Sequence, residues 1–237
     1  MKIKHDIYII TLICFLSTVN HKCTSSEEVV SDADGNRYST IVIGDQEWLV
    51  ENLKTTRFND GTPIANVQDV TNWRNVDEPA YVWYENDIMN KEPFGALYNW
   101  HAVGNPKGLC PEGWRVASDE DWKELEKLLG MTSDQIEGTG LRGATEGAKL
   151  KEVGTGNWVS PNEGASDEFG LSIIPSGRRD SSGRFYDIGE GSTIWTSSET
   201  SASSAYYRHF ANSITTIGRN PEGDKKFGLA VRCIRAK

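Results

Sequence analysis

The strongest periodicity in the chain starts at Ser118-Asp119-Glu120-Asp121, after which Trp122, Leu125, Leu128 and Leu129 fall at helical spacing on one face. A serine followed by acidic residues is a helix-start pattern, because such side chains accept from free N–H groups and sit at the positive end of the helix dipole. Gly130 ends the run. Elsewhere the apolar pattern is short and broken by turns. Residues 38–43 have strand composition, with Asp32-Ala33-Asp34-Gly35-Asn36 turning before them and Gly44-Asp45 turning after, into Gln46-Glu47-Trp48-Leu49-Val50. Residues 29–50 therefore read as a hairpin.

Residues 51–80 are rich in loops, with a strong turn at Asn59-Asp60-Gly61-Thr62-Pro63 and a short helical turn over 70–75 around Trp73. A strand follows at 80–84. Residues 95–103 join it to Gly108-Leu109-Cys110-Pro111-Glu112-Gly113-Trp114-Arg115-Val116, which leads into the main helix. Beyond that helix, 148–152 reads as a second short helix or strand. Strands are expected at 169–175, 183–188, 192–198, 205–210 and 227–235, with a small-residue loop at 200–204. No linker interrupts 32–237, so the reading is one α+β domain of short strands, one or two helices and long loops.

Composition narrows the class. A hydrophobic content of 37% with 8 Trp, 8 Tyr and 7 Phe supports a core that leans on aromatics, and 23 Gly spread along the chain fit many turns. A net charge of −9 argues against a nucleic-acid binder, which needs a basic face against phosphates.

The N-terminus sets the expected compartment. Lys2 and Lys4 precede an apolar run over 7–19, too short to span a bilayer and suited to a signal peptide over 1–22. A buried N-terminal helix is the alternative. No later run reaches the ~18 apolar residues of a membrane span. Cys23 sits where a lipoprotein signal would place its acylated cysteine, although Asn20-His21-Lys22 lacks the usual small residue before it. Thr24-Ser25-Ser26-Glu27-Glu28 makes 23–31 a polar tether. The expectation is an exported protein at the outer membrane or cell surface, touching membrane only through a lipid on Cys23. Ordinary signal cleavage and an unpaired thiol at Cys23 are the other readings.

Cys14 leaves with the signal, and Cys23 is set aside for the lipid. Cys110 and Cys233 then remain, and in an oxidising compartment they read as a disulfide, with two buried free thiols as the alternative.

The chemistry is sparse. His5 and His21 go with the signal, and His101 and His209 have no spaced partner, which is weak for metal or triad chemistry. Asp32-Ala33-Asp34-Gly35-Asn36 resembles the start of a calcium loop, but Ile43 stands where the closing glutamate would be. A plain turn is the better reading; no cofactor is expected, calcium being the one weighed. Glu199 is the nominee if a glycosidase carboxylate exists.

Aromatics beside planar hydrogen-bonding groups are what a sugar cleft needs. Trp158, Arg178, Trp195, Glu199, Tyr207 and Arg208 are the candidate ligand residues, in turn-dense sequence with Arg179, Asn157 and Asn162 nearby. The competing reading places Trp158 and Trp195 in the core. Tyr206 and Tyr207 are adjacent on one strand, so one ring should face out.

Several strings resemble the Fibrobacter succinogenes major paralogous domain family. They include Asp34-Gly35-Asn36-x-Tyr38, Gln46-Glu47-Trp48, Glu51-Asn52-Leu53, Asn59-Asp60-Gly61-Thr62-Pro63-Ile64 and Gly95-Ala96-Leu97-Tyr98-Asn99-Trp100. Leu109-Cys110-Pro111-x-Gly113-Trp114, Lys149-Leu150-Lys151-Glu152, Trp195-Thr196-Ser197-Ser198-Glu199 and Gly228-Leu229-Ala230-Val231-Arg232-Cys233 continue it in the family's order. The resemblance covers residue 32 to the C-terminus and implies an exported, often lipid-anchored bacterial protein with no established activity.

The Cys-Pro-x-Gly-Trp entry and the closing Val-Arg-Cys strand are also similar to the C-type-lectin-like fold, including its formylglycine-generating branch. The calcium triplets of sugar-binding C-type lectins are absent, as is a cysteine pair separate from Cys110 and Cys233. The expected function is a non-catalytic binding or adhesion module, for a glycan or polysaccharide. A structural or protein-adhesion role and a carbohydrate-active enzyme are the alternatives.

Overall fold

The computed structural model describes residues 29–236. The expected signal peptide, Cys14, the expected lipidation site Cys23 and most of the expected tether lie outside the described residues.

The fold is mixed α+β, with sixteen short strands in four sheets and four short α-helices among the described residues. Strands β1 (Val30–Ser31) and β2 (Arg37–Tyr38) pair around the Asp32 turn. There the Asp32 carboxylate accepts from the Asp34 and Asn36 backbone N–H groups and from the Tyr38 hydroxyl. The acidic loop is thus the expected turn, closed by its own donors. Strands β3 (Thr40–Ile43) and β4 (Gln46–Leu49) form the next hairpin. Its turn glycine, Gly44, sits at φ +61°, where residues other than glycine are strained.

The middle of the chain gives β5 (Ala65–Asn66), α1 (Val70–Arg74), β6 (Ala80–Val82), β7 (Leu97–Tyr98), α2 (Trp100–Val103) and β8 (Trp114–Val116). Helix α3 (Asp119–Leu129) follows. Ser118 and Asp121 form a reciprocal capping box at its start, and Gly130 at φ +110° ends it in the left-handed conformation. The expected apolar face needs one correction: Leu128 is exposed, while Trp122, Leu125 and Leu129 are buried. At six residues from Trp122, Leu128 has rotated off the face.

Helix α4 (Ser133–Glu137) precedes β9 (Gly140–Arg142), β10 (Ser176–Arg179), β11 (Phe185–Ile188), β12 (Gly191–Glu199), β13 (Ser204–Ala211) and β14 (Ile217–Asp224). Strands β15 (Ala230–Val231) and β16 (Cys233–Arg235) close the chain. Residues 148–152 and 169–175 are turns and coil rather than regular elements, joined only by a Lys151–Ile173 bridge. The one strand expected over 227–235 is split at Arg232. That side chain is wholly buried and donates to the Leu49, Leu171 and Ser172 carbonyls and to Asn52 Oδ1.

The split sends the last two strands to different sheets. β15 runs parallel to β12, while β16 lies antiparallel between β4 and β8. The largest sheet runs β11-β10-β12-β13-β14-β9. β14 escapes the sequence reading because Gly218, Pro221 and Gly223 interrupt it. Pro221 is tolerated because β9 pairs only with 217–219, so the proline lies on an open edge.

β12 divides the core. Ile194 faces a cluster with Trp48, Trp122, Leu125, Trp158, Phe210 and Ile234, and Trp195 faces a second with Tyr98, Leu229, Val231 and both cysteines. Burial on both sides explains why residues 191–196 are buried without alternation. Cys110 and Cys233 are bonded across 123 positions, so the disulfide reading holds and the free-thiol alternative does not.

A buried ion network fixes α3 to the sheet. Arg208 Nη1 donates to Asp119 Oδ1 at 2.7 Å and its Nε to Glu126 Oε1 at 2.6 Å. Arg219 Nη2 reaches Asp119 Oδ2 at 2.6 Å, and Arg142 Nη2 reaches Glu126 Oε1 at 2.7 Å. Arg142 Nη1 and Arg219 Nη1 take the carbonyls of 135–138 at the end of α4, where free C=O groups need partners.

Candidate functional site

The sequence candidates separate cleanly by burial. Trp158 is 1% exposed, donates from Nε1 to the Ile173 carbonyl, and carries Lys151 Nζ over its ring. Trp195 is wholly buried and donates to the Tyr98 carbonyl. Arg208 is wholly buried in the α3 network. These three are core residues that present no surface to a ligand, which corrects their place in the expected cleft. A large ring in a core short of aliphatics fills volume first, and its N–H needs a carbonyl partner. Glu199 is exposed at the end of β12 and ion-paired with Lys225 at 2.7 Å, whose Nζ sits over the Trp100 ring. It stands apart from the residues that line the cleft.

Arg178 and Tyr207 do come together. They are shared by two adjoining depressions on the outer face of the large sheet. The larger, about 340 Å³, is completed by Asp180, Tyr186 and Phe227. The smaller, about 170 Å³, is lined further by Leu141, His209, Gly218 and Asn220. Two other depressions, of about 640 and 530 Å³, have no aromatic lining and so offer no platform for a ring.

Strand register builds the cleft. Arg178 pairs with Tyr186 across β10 and β11, and its guanidinium lies 5.6 Å from the tyrosine ring centre. On β13, Tyr207 and His209 share a face by alternation, opposite Asn220 and Gly218 of β14. Gly218 opposes Leu141 of β9. A Cβ on Gly223 would lie 2.7 Å from both the Trp195 and Tyr207 rings. Glycine there lets Tyr207 lie edge-on to Trp195, with ring centres 6.3 Å apart. Tyr206 turns to the opposite face and covers the Arg219 guanidinium at 4.4 Å. The adjacent tyrosines thus face opposite ways, both half-buried, and Tyr207 borders both depressions.

The polar groups differ in how far the protein already uses them. Asp180 accepts from Ser182 Oγ and the Arg184 N–H; burial works to raise its carboxyl pKa, but these bonds and Tyr186 hold it below the ordinary value. Arg178 has an ion pair with Asp187 at 3.3 Å and donates no hydrogen bond among the described residues. His209 Nδ1 meets Thr193 Oγ1 at 3.2 Å. Burial first, then the charge of Arg178, lowers the His209 pKa and keeps its ring neutral at pH 7. Burial raises the Tyr207 hydroxyl, so it stays protonated and able to donate.

Sequence reasoning missed Tyr186, Phe227, His209, Asn220 and Leu141. Alternation alone would have put His209 on the face of Tyr207; Tyr186, Asn220 and Leu141 reach the cleft through strand pairings, and Phe227 through a loop, that no local pattern reveals.

No curated protein and no solved structure matches the chain. Residues 41–235 do match the Fibrobacter succinogenes major domain, and the chain belongs to that family.

Proposed function

We propose that this protein is a non-catalytic binding module of the cell envelope whose outer-face cleft holds a sugar chain. The observation that carries the reading is the meeting of Tyr186, Tyr207 and Phe227 with Arg178 and Asp180 in one depression of about 340 Å³. Apolar ring faces stack on sugars while planar polar groups read hydroxyls. Export by the signal at 1–22 and a lipid on Cys23 belong to the same proposal, and rest on the sequence.

A C-type-lectin-like core is proposed with it. In its support, β3 and β4 near the described start share a sheet with β16 at the end, and Cys233 closes back onto Cys110. The non-catalytic part is supported by how the buried acids are used: Asp119 and Glu126 are both held by arginines.

The test is binding of the purified protein to a broad glycan panel, with calcium and with chelator. Selective binding lost in Tyr207→Ala and Tyr186→Ala is the expected result. A blank panel in both conditions sinks the glycan reading and leaves adhesion to protein as the activity to test.

A further inference from the structure

The smaller depression carries a chemical bias that the larger one lacks. It is lined by Leu141, Arg178, Tyr207, His209, Gly218 and Asn220, with the backbone of Gly140 and Arg219, and no carboxylate lines it. This is notable in a chain with 34 acidic residues and a net charge of −9. Each polar side chain left on its wall except His209 carries a free N–H or O–H. Arg178 donates no hydrogen bond, the Tyr207 hydroxyl makes none, and Asn220 uses only its Oδ1, which accepts from the Glu222 N–H. Thr193 Oγ1 engages His209 Nδ1, so Nε2 is the ring nitrogen that this contact leaves free. Arg219 adds no charge to this face, because its guanidinium is turned inward onto Asp119.

A wall that holds a guanidinium and no carboxylate favours an anionic group that only accepts. A planar guanidinium matches a carboxylate in two-point geometry. We infer that the ligand is an acidic oligosaccharide, with one ring on Tyr186 and Phe227 and the carboxylate of a neighbouring uronate ring in the small depression, held by Arg178. Arg178 and Tyr207 border both depressions, so one chain of rings can occupy the two together. Asp187 moderates the site, since its carboxylate occupies part of the guanidinium at 3.3 Å. This inference rests on the glycan-binding reading above and names its substrate class.

The experiment compares polygalacturonate oligomers, the same oligomers as methyl esters, and neutral galactan oligomers, by calorimetry at low and moderate salt. Binding to polygalacturonate, weakened about tenfold or more by methyl esterification and by added salt, is the expected result; that is the scale of one lost charge-assisted hydrogen bond. Arg178→Gln should lower affinity for the acid about tenfold more than for the ester. Asp187→Asn should raise affinity for the acid, and asparagine tolerates the left-handed conformation at that position, φ +68°. Leu141→Glu, at an exposed position, should weaken binding of the acid alone. Equal binding of acid and ester overturns the inference while the glycan reading stands. Binding to none of the three probes overturns the inference, and a blank panel on the wider set of glycans then removes the glycan reading too.

Discussion

Arg208 and Asp119 meet at 2.7 Å inside the protein, joining the middle of the largest sheet to the first turn of its longest helix. Both are buried, and Arg219 closes on the other oxygen of the same carboxylate. Taking the Asp119 charge away leaves Arg219 without its buried carboxylate partner and Arg208 with Glu126 alone, in a medium that solvates them poorly. Asp119→Asn should therefore lower unfolding free energy by about 3–5 kcal/mol. Urea unfolding followed by tryptophan fluorescence checks this, and a loss below about 1 kcal/mol would mean that the network contributes little beyond packing.

The same carboxylate sets a pH dependence. Burial alone would raise the Asp119 pKa, but the contacts of Arg219 and Arg208 outweigh it and hold the value below the ordinary one. Asp121 is lowered in the same way, burial being outweighed by Arg115 and Ser118. A carboxyl depressed in the folded state adds stability that is fully present above its unfolded value of about 3.9. That stability is lost as pH falls through the lower folded value. Unfolding free energy should decline steadily below about pH 4–5, and Asp119→Asn should show a shallower decline. Parallel curves for the two proteins would contradict this.

The disulfide closes a long loop between buried cysteines. On the chain-entropy model a loop of about 100 residues is worth about 4.7 kcal/mol. The Cys110→Ser, Cys233→Ser double variant should lose stability on that scale while keeping the same far-ultraviolet dichroism at low temperature. A variant as stable as the parent would show that the packing of β16 between β4 and β8 is sufficient alone.

Core and cleft aromatics should part in their effects. Trp158→Ala should cost about 3–5 kcal/mol of stability, and Trp158→Phe, which retains most of the volume, should leave ligand binding unchanged. Tyr207→Ala should instead cost about 2 kcal/mol or less and remove binding to whichever glycan the parent selects. Binding lost in Trp158→Phe with the fold intact would return that ring to the site.

Local sequence carried much of this. The helix at 119–129, its cap and its stop follow from Ser118, Asp121 and Gly130, and the hairpins before residue 50 follow from their turn residues. The disulfide follows from counting cysteines, and the family from strings that keep their order. Each rests on contacts within a few positions, or on covalent chemistry with one choice of partner.

Tertiary structure decided the rest. Whether Trp195 or Tyr207 meets solvent depends on what covers each strand: Trp195 of β12 is wholly buried, while its cross-strand neighbour Tyr207 on β13 borders the two depressions. Arg178 and Arg208 look alike along the chain, yet one borders a cleft and the other is locked between two carboxylates of α3. The sequence determined the early hairpins, the main helix with its cap and stop, and the pairing of Cys110 with Cys233. The cleft depends on register between strands far apart in the chain, where a slip of one residue would exchange the two faces, and only the assembled sheet fixes that register.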